Sequence, residues 1–286
     1  MTSFLLQALN GLSNGTVLFL IALGLTLIFG VLGVLNFAHG ALYMLGAYAA
    51  FQITDAWIPN FWLALLLAPL VVAAVGGLLE VFFLRRLYGR DVVYQLLLTV
   101  AFVLILNDAV RIFWGSGPHA VAPPDPFADP VKLLARYYPS YRLFLIVLAP
   151  VIGLGIWLAL ERTRAGKIIR AAAMDREMAS ALGINVPLVF TAVFVLGAWL
   201  AGVGGVLAAP LLTIAPAMGD EIIINSFIVA VIGGLGSFPG AFVGALVLGL
   251  FNAYGIVLAP GFQLAFASLV MAAVLLIRPR GLFGTA

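Results

Sequence analysis

The sequence contains no cysteine. Disulfides, thiolate catalysis and cysteine-ligated metals are therefore excluded. Charge is nearly as scarce: 9% of the 286 residues are charged, against 64% that are hydrophobic. No polar stretch is long enough to fold as a separate soluble domain. A phosphate-binding Gly-x-x-x-x-Gly-Lys-Ser/Thr loop is also missing. The one Gly-Lys pair, Gly166-Lys167, is followed by Ile168, and Glu161 stands where the first glycine should be. There is no Ser–His–Asp set, no interior carboxylate pair and no His/Asp cluster at metal spacing. An enzyme has no visible centre here, and neither cofactor nor metal is expected. No basic residue precedes the first apolar run, so a cleaved signal peptide is not expected either.

What remains is the composition of an all-α polytopic membrane protein, one transmembrane domain over residues 1–286. Full-length apolar runs lie at 17–35, 61–84, 92–114, 141–160, 187–209, 240–258 and 262–277. Residues 41–53 and 222–234 are too short to cross alone, since a crossing takes about twenty residues. Eight to ten crossings are expected, depending on whether those two are half-helices. Residues 1–16 are apolar but broken by Asn10, Gly11, Asn14 and Gly15, and read either as an interfacial helix or as part of the first span. Thirty-one glycines suit helices packed closely in lipid.

The net charge of +3 reports orientation, not a nucleic-acid partner. With alternating spans, Arg85, Arg86, Arg90, five basic residues within 161–186, Arg278 and Arg280 share one side. Lys132, Arg136, Arg142 and Arg111 lie on the other. Ten against four places 161–186 in the cytoplasm by the positive-inside rule.

That stretch, ERTRAGKIIRAAAMDREMASALGINV, holds eight of the twenty-five charges. Gly166 opens a helical run in which Ile168, Ala172, Asp175, Ala179 and Leu182 recur at three- and four-residue steps. Asp175 is placed to cap a second short helix, which Gly183 stops and Pro187 follows. Gly166 implies either backbone freedom or close approach of another surface. The expected product is a helix–turn–helix held between two spans, a lever. An amphipathic loop on lipid headgroups is the alternative; three acids among five bases, with no bulky aromatic anchor, argue against it.

Two apolar runs are interrupted, at Phe37-Ala38-His39-Gly40-Ala41 and at Phe238-Pro239-Gly240-Ala241, one in each half of the chain. Paired broken helices point to an inverted repeat with a pathway at the repeat interface. Asn36, His39 and Ser237 are expected to face that pathway or the bundle interior, because backbone freed at membrane depth needs protein or water. A neutral histidine bonded to a nearby carbonyl is the plainer reading of His39. Asn107 and Asn252 are further pathway candidates, with interhelical hydrogen bonding as the equal alternative for Asn252. Asp108 and Arg111 are spaced to pair on one helix face. Glu80 is expected to reach the headgroups with Arg85 and Arg86, and Asp220 and Glu221 to face water at the outer side.

The runs Arg162-Thr163-Arg164-Ala165-Gly166-Lys167, Arg170-Ala171, Asp175, Ala179 and Leu182-Gly183-Ile184 resemble the coupling loop of ABC-importer permeases. With Asn36-Phe37-Ala38-His39-Gly40-Ala41 and Gly233-Gly234-Leu235-Gly236-Ser237-Phe238-Pro239-Gly240-Ala241, the chain resembles the branched-chain amino acid (LivH-type) permeases. The resemblance implies two ATP-binding subunits docked on Arg162, Thr163, Arg164, Gly166, Lys167, Arg170, Asp175 and Gly183. It further implies a second related permease subunit and an extracytoplasmic binding protein that carries a small-molecule substrate to the membrane. Hydrolysis would then occur on the ATP-binding subunits. Selectivity would reside in the binding protein, docked on the outer surfaces 115–140 and 210–221. A permease for urea or amides is the alternative within the class. A secondary transporter would need an acid at the centre of a span, and none is there.

Overall fold

Six helices of the computed structural model are long and apolar enough to cross a membrane; the structure describes residues 2–133, 136–258 and 263–284. At the axis is α1 (Thr2–Leu32), whose 31 residues extend roughly 46 Å at about 1.5 Å per residue. Its sequence is apolar on every side, which suits a helix enclosed by others. Phe19, Leu20, Ile21, Ala22, Leu25 and Ile28 are all buried. Residues 2–16 belong to this helix and are not an interfacial element. The asparagines that interrupt them are used: Asn10 accepts from the Tyr138 hydroxyl at 3.1 Å and Asn14 from Arg142 at 3.1 Å.

Next in the chain are α2 (Ala38–Phe51), α3 (Phe61–Phe82), α4 (Val92–Trp114) and α5 (Ser140–Arg162). After α5 come α6 (Arg164–Met174), α7 (Arg176–Ala181), α8 (Val186–Ala208), α9 (Met218–Gly233), α10 (Phe238–Leu258) and α11 (Gln263–Ile277). Among the described residues the long helices are therefore α1, α3, α4, α5, α8 and α10, and the two short segments left open in the sequence fall in α2 and α9. With 14, 16 and 15 residues, α2, α9 and α11 fall short of a hydrocarbon core about 30 Å thick. A π-helical turn, Gln52–Trp57, continues α2. The expected start of the last span at residue 262 lies outside the described residues.

The interrupted runs behave as their composition suggests. Residues 33–37 are not helical, and α2 begins beside the middle of α1, where His39 meets Ile21. There α2 crosses α9 with glycine against glycine. A Cβ on Gly40 would stand 2.3 Å from the Gly219 carbonyl oxygen, and one on Gly219 would stand 2.2 Å from that of Gly40. No larger residue fits either position.

On the face opposite the lever, Pro130–Leu133 pairs antiparallel with Arg136–Pro139, forming β1 and β2. His119 and Ile214 exchange two backbone hydrogen bonds of 2.9 Å. The long loop after α4 is thereby tied to the loop after α8.

Candidate coupling and translocation sites

The lever is built by side-chain caps. Thr163 accepts from the Gly166 amide at 3.2 Å and starts α6. Asp175 ends α6 and accepts from the Met178 amide at 2.9 Å, starting α7. Gly183 adopts φ +84°, which favours glycine, and closes α7. Asn185 then accepts from Leu188 at 3.1 Å and begins α8. Three polar caps and one left-handed glycine thus set the whole helix–turn–helix, with Asp175 and Gly183 at the expected positions and the first helix opening at Arg164, ahead of Gly166.

Its inner face is closed on the bundle. Ala172 and Ala179 are buried in a cluster with Ile28, Leu32, Leu84, Phe190 and Phe194. Arg176 donates to the Leu32 carbonyl at 2.9 Å, and its guanidinium lies 4.7 Å from the Phe190 ring centroid. Gly166 is buried against the end of α5: a Cβ there would stand 1.7 Å from the Leu160 carbonyl oxygen. The close approach implied by this glycine is therefore made by the chain's own backbone. Arg170 also turns back to α5, donating to the Leu160 carbonyl at 2.6 Å and pairing with Glu161 at 3.4 Å.

The outer face is open. Arg162, Arg164 and Lys167 are exposed, as are Ile168, Met174, Met178 and Leu182, with Met174 at 88%. Along this three- and four-residue series Ala172 and Ala179 are buried, while Ile168 and Leu182 are exposed. Met174 and Met178 were not picked out from the sequence. The available signal was two unbranched apolar side chains in a segment otherwise rich in charge.

Glu80 departs from expectation. It is completely buried and does not reach the headgroups. Thr191 Oγ1 donates to it at 2.6 Å, the Tyr88 hydroxyl at 3.0 Å, and Arg85 pairs with it at 3.3 Å. A buried carboxylate needs such partners, and here they join α3 to the first turns of α8, directly after the lever. Burial, and then the Glu80 carboxylate, push the Tyr88 phenol well above its usual range, so it remains a donor.

Of the pathway candidates, Asn36 is fully buried and neither atom of its amide has a partner. His39 is fully buried too, with Nε2 2.9 Å from the Ile21 carbonyl and Nδ1 unpartnered. Its carbonyl bond matches the plainer reading. Ser237 caps α10, accepting from Gly240 at 3.1 Å. It lines a cavity of about 490 Å³ with Gly166 and Arg170 of the lever.

Asn252 lines a separate cavity of about 210 Å³ with Asn14, Tyr43, Glu221 and Asn225. Its Oδ1 has no partner. Glu221, expected at the outer side against water or a partner, is exposed and also lines this cavity. Asn107 stands apart on α4, nearly buried, with Oδ1 unpartnered. The five candidates do not converge on one point. Asp108 and Arg111 pair at 3.4 Å, but both are more than half exposed, and such a pair contributes little.

Residues 7–278 match the family model described as the branched-chain amino acid transport system / permease component. The chain is 35% identical to the high-affinity branched-chain amino acid transport system permease protein BraD of Pseudomonas aeruginosa, covering 98% of this chain and 96% of that one. It is 32% identical to LivH of Escherichia coli K12, a permease protein of the same description, with the same coverage. It is 25% identical to LivM of that organism over 92% of this chain and 67% of the relative. No solved structure matches it. Helices built to cross a membrane several times, and a match that runs nearly the full length, lead to one conclusion: the chain is a multi-pass membrane protein and belongs to the family of branched-chain amino acid transport system permease components.

Proposed function

We propose that the chain is the permease subunit of an ATP-driven, binding-protein-dependent importer of branched-chain amino acids in the inner (plasma) membrane. One observation carries the coupling part of this reading. The lever is anchored inward through Ala172, Ala179 and Arg176, yet it presents Ile168, Met174, Met178 and Leu182 to the outside. Exposed apolar side chains on a rigid mount suit a protein partner, and methionine adapts to a moving one. Two ATP-binding subunits fit that role, one on each permease chain. The similarity to both LivH and LivM supports a second, related permease as the other half of the channel. On the opposite face, the loops joined through His119 and Ile214 offer one surface to a substrate-binding protein.

In this reading α2 and α9 are the half-helices of an inverted repeat, and the unpartnered amides of Asn36 and Asn252 border a water-filled route between states. ATP closes the ATPase pair, the lever moves as a body, and α1, α5 and α8 carry the motion inward. Reconstitution in vesicles tests it. Leucine uptake should require ATP, the ATPase subunits and the binding protein together; uptake driven by a proton or sodium gradient alone would overturn it.

A further inference from the structure

The cavity between the lever and the bundle has a chemistry that docking does not explain. Its volume is about 490 Å³. Glu161 and Arg170 stand at its edge with opposite charges, each side chain about half exposed, so the opening reaches water. Their mutual contact is long, 3.4 Å, and a pair so exposed is weakly held. Trp157, Ile169 and Phe238 supply an apolar wall. Thr26 also lines the cavity; it is 2% exposed, and its hydroxyl has no partner. A buried hydroxyl free to bond, a weakly held charge pair and an arginine positioned by the Leu160 carbonyl at 2.6 Å thus line one cavity.

We propose that this cavity binds a zwitterion with a small apolar body, an aliphatic amino acid, with its ammonium on Glu161 and its carboxylate on Arg170. Both charges of such a ligand would find a partner, as burial of charge requires. Thr26 takes a remaining hydrogen bond, and the side chain lies against Trp157 and Phe238. The cavity touches α6 on one side and α1 and the turn before α10 on the other. A ligand spanning it fixes the lever against the bundle. Substrate accumulated on the lever side would therefore slow the transporter that delivered it. The regulatory meaning rests on the import reading; the binding does not. Affinity is expected to be weak, on the order of 1 mM, as suits a sensor of a plentiful product.

Aminophospholipid headgroups share the ammonium-plus-anion chemistry, so the source must be tested with the ligand. The full chain in phosphatidylcholine nanodiscs is titrated with leucine, isocaproate and isoamylamine by calorimetry. Leucine should bind at least tenfold more tightly than either single-charge analogue. Glu161→Gln and Thr26→Val should each weaken leucine binding, the first by about tenfold, and added phosphatidylethanolamine should leave it unchanged. Three results overturn the proposal: no leucine binding up to tens of millimolar, equal binding of isocaproate, or both variants binding like the parent. Displacement of leucine by phosphatidylethanolamine also overturns it and assigns the pocket to a lipid headgroup. Uptake assays do not enter these measurements, so this proposal and the import reading fail separately.

Discussion

Arg176 on α7 donates to the Leu32 carbonyl, the last residue of α1, across 144 positions of sequence. The bond satisfies a carbonyl that the helix end leaves open, and it fixes the lever to the helix at the centre of the bundle. Arg176→Ala should lower uptake by the complete complex at least tenfold while the chain still inserts. Uptake equal to the parent's would remove this bond from the transmission path.

Gly166 offers a sharper substitution. A single methyl group must displace the Leu160 carbonyl, so Gly166→Ala, and not only Gly166→Asp, should disrupt the junction of α5 and α6. Expected results are normal insertion, faster proteolysis within 160–175 and loss of uptake. An alanine variant with the parent's protease resistance and activity would refute the close contact.

The outward face of the lever predicts the opposite pattern. Met174→Asp and Met178→Asp place charge on exposed positions, so the permease should keep its thermal stability in detergent. Binding of the ATPase subunits, measured by co-purification, should fall in both, since a docked charge without a partner is costly. Unchanged co-purification in the double variant would move the docking site elsewhere.

Removing the Glu80 carboxylate strands its donors. Glu80→Ala should destabilise by about 3 kcal/mol, as breaking a buried pair does. Thr191→Val removes the hydroxyl that bonds Glu80, Arg85 and the Pro187 carbonyl but leaves the Glu80–Arg85 pair, and should lose less, about 1 kcal/mol. Thermal unfolding in detergent ranks the two, and equal midpoints would contradict the network.

Asn36 and Ser237 differ in accessibility, the first fully buried and the second half-buried. With no native cysteine in the chain, Ser237→Cys should react with a water-soluble thiol reagent in the resting state. Asn36→Cys should react only once nucleotide shifts the complex. Reactivity of position 36 that never changes would argue against a moving pathway there.

The legible parts were those set by local chemistry. Asp175 and Gly183 mark the lever's turns because a capping carboxylate and a left-handed glycine act within a few residues. The helical, membrane-spanning character followed from composition, and the shortness of α2 and α9 from the interruptions that bound them. Which way each side of the lever faces was not legible. Ala172 and Ile168 are four residues apart and equally apolar, and only packing against α1 and α8 separates them. Glu80 looked like a headgroup anchor beside Arg85 and Arg86; its partner Thr191 lies more than a hundred residues away. The Asn252 cavity draws on α1, α2, α9 and α10, which no single window of sequence contains.

The closure of the lever's inner face bears on biogenesis. Caps, buried alanines and the Arg176 bond all come from within one chain, so the contacts that shape the lever ask for no soluble subunit as a template. On the proposed import reading, assembly can then proceed in stages, with the ATPase subunits docking on a finished membrane component, and a soluble subunit with a matching surface can replace another without refolding anything in the lipid.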